Sequence, residues 1–141
     1  MSLADLVPNA LLTSKSDAIV ASGPDGVIVT WNPGAERIFG FSEAEALGQS
    51  LDLIIPENQR DRHWTGYDQV MATGVSKYGD GDVLGVPAVH RDGSRLSIEF
   101  TIIPVKSEAG EMLGMVSILR DVTARFNELR DLRRRLAAAG A

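Results

Sequence analysis

The sequence predicts an α+β fold: a five-stranded antiparallel sheet with several short helices on one face. Three observations predict it. Strand-like segments fall into two groups, 17–22 with 27–31 and then 84–90, 95–105 and 112–119, and within each group the connections are short and turn-like. The stretch between the groups, 32–74, is cut by proline and glycine into short helical pieces. Residues 95–105 alternate, with Leu96, Ile98, Phe100 and Ile102 on one face and Arg95, Ser97, Glu99 and Thr101 on the other. Such alternation marks a strand with one covered face and one open one.

Each element has a local reason. Residues 2–12 carry Leu3, Leu6, Ala10 and Leu11 at weak helical spacing interrupted by Pro8, which predicts a cap helix or arm over 1–13. A domain over 14–121 follows. It opens with the apolar strand 17–22, the hairpin chemistry of Pro24-Asp25-Gly26 and the β-branched strand 27–31. Asn32 can cap a helix that Pro33 begins and Gly40 stops; Ser42 begins another, with Glu43 and Glu45 in its first turn and Gly48 at its end. A brief turn over 51–55 leads to a longer helix between Pro56 and Gly74. Gly79, Gly81 and Gly85 give a flexible entry to the next strand, and the turns Arg91-Asp92-Gly93 and Glu108-Ala109-Gly110 close two more hairpins. Asp121 or Thr123 then caps a helix running through Leu136, in a tail of 122–141, with Phe126 expected to pack back on the sheet.

Composition excludes several classes of function. With 141 residues the chain suits one compact domain with short extensions. No apolar run is long enough to cross a bilayer and no basic lead opens the chain, so the expectation is a cytoplasmic protein with no membrane contact. There are no cysteines, which removes disulfides, thiolate catalysis, zinc–cysteine sites and flavin photochemistry through a cysteinyl adduct. The net charge of −5 argues against direct nucleic-acid binding, and the arginines near the end (Arg120 to Arg135) read as a solvated helix face. The glycines are followed by no Gly-Lys-Ser/Thr, Asp80 and Asp82 lack the rest of a calcium loop, and two histidines support no catalytic triad. An enzyme is not expected.

The helix between Pro56 and Gly74 carries the main functional question. His63, Tyr67, Val70 and Met71 recur at i, i+4, i+7 and i+8, a semi-apolar face with one group that titrates near neutral pH. A pocket is expected between that face and the row Leu96, Ile98, Phe100 and Ile102. Trp64 is expected to pack on the helix flank, Trp31 at a strand end, and His90 to face solvent.

Several separately spaced motifs together resemble a PAS domain over roughly residues 14–125. They are Asp25-Gly26-Val27-Ile28 with Trp31-Asn32-Pro33, the run Glu36 to Gly48, Ile54-Ile55-Pro56, His90-Arg91-Asp92-Gly93-Ser94, and Gly114 through Arg120-Asp121-Val122-Thr123. The resemblance implies a sensory module in signal transduction, as in two-component systems. Its pocket lies against the sheet, and an Asp-x-Thr such as Asp121 and Thr123 relays the signal into the last helix. Within the family, Pro56-Glu57, Arg60-Asp61-Arg62-His63 and Tyr67 are similar to the haem-binding PAS domains of FixL-type oxygen-sensor kinases. That likeness implies haem b, with His63 as the iron ligand and Tyr67, Val70 and Met71 as the porphyrin floor. Leu84, Phe100 and Ile102 would meet the other face, with Leu96 and Ile98 lining the same pocket and Lys77 reaching a propionate. Two departures stand out: Gln69 replaces the family's basic residue, and no basic residue lies near Leu84 to hold oxygen. Carbon monoxide, nitric oxide or redox state therefore suit such a pocket better than oxygen.

Two other readings remain beside haem. One is a pocket for a small organic or fatty ligand. The other is a cofactor-free module for homodimerisation or protein–protein contact, through Leu3 and Leu6 and through a short a/d seam of Leu129, Leu132 and Leu136. In each, the output goes to an effector domain or partner protein.

Overall fold

The computed structural model describes residues 1–75 and 84–140. Its core is a five-stranded antiparallel sheet built from β1 (Ala18–Ser22), β2 (Ile28–Trp31), β3 (Leu84–Val89), β4 (Arg95–Lys106) and β5 (Met112–Asp121). The spatial order is β2-β1-β5-β4-β3, so the last strand inserts beside the first. β1 pairs with β5 from Ala18 opposite Leu119 to Ser22 opposite Met115. The helices α1 (Leu3–Leu12), α2 (Pro33–Phe39), α3 (Glu43–Ala46), α4 (Arg60–Thr73) and α5 (Thr123–Ala139) complete the chain, with 3₁₀ turns over Leu51–Ile54 and Glu57–Gln59.

The capping chemistry forms as the sequence predicts. Asn32 accepts the Ala35 N–H at 2.9 Å with Pro33 at the first helical position, and Ser42 and Glu45 close a reciprocal capping box. The stops at Gly40 and Gly74 have φ of 82° and 71°, a region that disfavours any side chain. The main core lies between the sheet and α2–α3, where Trp31, Phe39, Ile28 and Ile98 are its largest fully buried side chains. Leu96 and Phe100 pack onto that core from β4.

Four expectations need correction. Pro8 does not interrupt α1: a Ser2–Asp5 capping box starts the helix, and it runs through the proline. Because the whole helix is exposed, the carbonyl left without an N–H partner can be hydrated. Phe126 does not return to the sheet; it is 50% exposed, and α5 buries none of its residues. His90 is half-buried rather than solvent-facing, because its ring covers the bare backbone of Gly40, where a β-carbon would stand 2.6 Å from Cε1. Val122, not Thr123 or Asp121, occupies the cap position of α5; the Asp121 carboxylate instead accepts the Thr123 N–H at 2.9 Å.

Candidate functional site

The side chains expected to line one pocket divide between two clusters. Leu96, Ile98 and Phe100 belong to the main core with Trp31 and Phe39. Tyr67, Val70 and Met115 form a second buried cluster, joined by Met71, Ile102, Trp64, Met112 and Leu51. Leu84 is half-buried and pairs with Phe100 across β3 and β4. Lys77 lies outside the described residues.

His63 sits at the edge of the second cluster. Its ring meets Trp64 edge-on at 4.7 Å and tilts against Tyr67 at 5.7 Å. Nδ1 is buried with no hydrogen-bond partner among the described residues. Burial pulls the imidazole pKa below its ordinary value, against the opposing charges of Asp52 and Asp68, which favours the neutral ring.

Sequence reasoning passed over the polar contacts that hold this region. The Tyr67 hydroxyl lies 2.9 Å from Ser22 Oγ and donates to the Gly23 carbonyl at 2.5 Å. Trp64 Nε1 donates to Asp52 Oδ1 at 2.8 Å. Ser22 could have been found: Ala18 and Val20 precede it at alternate, inward positions, so a hydroxyl there had to be buried and bonded.

At the far end of the sheet, β4 holds the start of α5. The Ser97 carbonyl accepts the Val122 N–H, and the Ser97 N–H donates to Thr123 Oγ1, both at 2.9 Å. The Thr123 hydroxyl in turn donates to Asp121 Oδ1 at 2.5 Å. Phe126, Leu129, Arg130, Arg133, Arg134 and Ala137 line a shallow, open groove along α5, far along the chain from His63. Among the described residues no group of three or more histidines and acids could hold a metal ion, and no helix is long and apolar enough to cross a membrane.

A family model for the PAS fold matches residues 12–126. The chain belongs to the PAS family. Its relatives include the sensor protein FixL of Bradyrhizobium diazoefficiens, 29% identical over 130 residues that cover 85% of this chain and 24% of that protein. Another is the signal transduction histidine-protein kinase AtoS of Escherichia coli, 28% identical, covering 92% of this chain and 19% of its own length. The chain thus spans a quarter or less of these curated relatives. Among solved structures, the PAS domain of a protein from Colwellia psychrerythraea superposes with a TM-score of 0.73 at 24% identity, over 87% of this chain and 99% of that one. The family occurs in sensor proteins and histidine kinases, in keeping with a sensory role for the PAS fold here.

Whether this PAS domain can hold haem turns on donor and space. The donor suits iron, being an imidazole whose pKa burial lowers and whose Nδ1 has no partner among the described residues. The space does not suit a porphyrin, because Tyr67 and Val70 pack with Met115 and Ile102 where the ring would have to lie. As packed, the residues do not fit the group.

Proposed function

We propose that this PAS domain is a sensory or regulatory module that takes a small ligand between α4 and the sheet, with α4 lifting from its packing on Met115 and Ile102 to admit it, and passes its effect to α5. The observation that carries the reading is the position of β4. Its inner face presents Ile98, Phe100 and Ile102 toward the helices, while its Ser97 backbone grips both Val122 and Thr123 at the start of α5. A ligand that shifts the strand changes the geometry of that grip. Asp121 and Thr123 are the relay in this reading, and the effector is a further domain or a partner protein of the two-component kind. No catalytic step is assigned to the domain itself, and its place is the cytoplasm. The test is a fragment screen by native mass spectrometry, followed by amide hydrogen exchange with the best binder. Slower or faster exchange at residues 122–126 on binding is expected. Binding that leaves those amides unchanged overturns the reading.

Haem is a second occupant, supported by the unpartnered Nδ1 of His63 and by the likeness to FixL. It requires Tyr67 and Val70 to withdraw from Met115, with His63 then free to offer a ring nitrogen. The absorption spectrum after haem supply decides it. A Soret band present in the wild type and lost in a folded His63→Ala variant supports haem, and a colourless protein that ignores added haem rejects it.

The alternative is a cofactor-free module for homodimerisation or protein–protein contact. Leu129, Leu132 and Leu136 favour it, being 45%, 46% and 73% exposed on a helix with no buried residue, as do Leu3 and Leu6 on α1.

A further inference from the structure

α4 is a polar helix held down at few points: of its 14 residues only Tyr67 and Val70 are buried. Trp64 rests on the turn between β1 and β2, where a β-carbon at Gly26 would stand 2.1 Å from the indole Cη2. Tyr67 reaches further in. Its hydroxyl has one proton and the Gly23 carbonyl can only accept, so that proton goes to Gly23. Ser22 must then be the donor to the Tyr67 oxygen. Ser22 is 5% exposed, so lifting α4 strips its hydroxyl of this partner and leaves the Gly23 carbonyl with only the Gly26 N–H, 3.0 Å away. Burial raises the phenol pKa above its ordinary 10.0, against the Ser22 hydrogen bond, and the donor therefore persists through neutral pH.

The ground on which Tyr67 stands is continuous with β5. Ser22 is paired with Met115, whose side chain packs with Tyr67 and Val70. A β-carbon at the neighbouring Gly114 would lie 2.3 Å from the Ser22 carbonyl oxygen, so the two strands meet there at backbone contact. On the other side, the pairing of β1 with β2 is irregular between Ala21 and Ser22. At Ser22 the regular pairing is thus the one with β5, which ends at Asp121, the residue that holds Thr123.

We propose that the Tyr67 hydroxyl is a latch: seated on Ser22 and Gly23 it holds α4 closed on the sheet, and its release loosens the start of α5 through the β1–β5 pairing. The latch rests on the reading of α5 as the output element. It is tested without any ligand, by amide hydrogen exchange of the whole chain in Tyr67→Phe, which keeps the ring and removes the hydroxyl. Exchange across 60–74 is expected to rise on the order of five- to tenfold. Residues 122–126 should follow by a smaller factor while β2 stays protected. Ser22→Ala, which leaves the Gly23 bond, should give a lesser rise at both places, and it decides the matter by the same criteria if Tyr67→Phe loses protection everywhere. Unchanged exchange in α4 overturns the proposal, and so does a loosened α4 with residues 122–126 unaltered. Either failure leaves the ligand reading standing, because that is measured separately in the wild type.

Discussion

Asn32 does more for this fold than any other polar side chain described. Its Oδ1 accepts from Ile19 N–H at 2.7 Å and Ala35 N–H at 2.9 Å, while Nδ2 donates to the Ser14 and Asp17 carbonyls. One buried amide therefore caps α2, pins the start of β1 and orders the chain before it. Asn32→Ala removes this partner from the Ile19 and Ala35 N–H groups and from the Asp17 carbonyl, while the Ser14 carbonyl keeps the Gly34 N–H at 3.0 Å, so a loss of about 2–4 kcal/mol is expected in urea unfolding. Its capping role was legible in the Asn-Pro pair; the bonds to Ser14, Asp17 and Ile19 were not, because they join residues 13 to 18 positions apart. His63 is the residue whose protonation the fold resists. Its folded pKa lies below the ordinary 6.5, so as pH falls the unfolded chain takes up the proton first. The contribution is present above about pH 6.5 and is lost as pH drops through the lowered folded value. Denaturant midpoints measured from pH 8 to 5 should fall below 6.5 in the wild type. In His63→Phe that fall should flatten.

At the scale of elements, what could be read from the sequence was what the chain decides locally. Turns and caps depend on three or four neighbouring residues, which is why the glycines of Pro24-Asp25-Gly26, Asp92-Gly93 and Ala109-Gly110 adopt φ of 76°, 87° and 84° where turns were expected. The inward row of β4 was legible for the same reason, since its period is intrinsic to a strand. Which partner covers each face was not. Leu96, Ile98 and Phe100 went to α2–α3, and Ile102 to α4, because a period names a face and not its occupant. The apolar spacing of α5 likewise did not reveal that Phe126 stays outside. α5 is tied to β4 by the Ser97 bonds to Val122 and Thr123, and this yields a prediction specific to the element. Thr123→Val keeps the shape but removes the acceptor of the Ser97 N–H and the donor to Asp121. The first turn of α5 should fray, with lower helicity by circular dichroism and a loss of about 1 kcal/mol. Unchanged helicity would mean that the Thr123 hydroxyl does not position the helix.

For the whole molecule, exposed area is the informative quantity. The chain exposes 9158 Å², whereas a compact monomer of its 15.2 kDa is expected to expose about 7,100 Å². The excess is larger than the roughly 800 Å² that each partner contributes to a standard protein–protein interface. Neither α1 nor α5 buries a residue. Leu3 and Leu11 stand 81% and 62% exposed on the first, and Leu129, Leu132 and Leu136 recur at three- and four-residue spacing on the second. Two heptads are too short to hold a dimer alone, so the exposed leucines of α1 are expected to contribute with those of α5. Sedimentation equilibrium should therefore give a concentration-dependent dimer near twice 15.2 kDa. Leu132→Glu places an acid in the middle of the seam, opposite its own copy if the helices run parallel, and weakens burial in any arrangement. It should shift the equilibrium to monomer at least tenfold, a change of about 1.4 kcal/mol, without changing the folded core. A wild type that stays monomeric throughout would assign the exposed leucines to a different partner, and a Leu132→Glu dimer as tight as wild type would move the interface off α5.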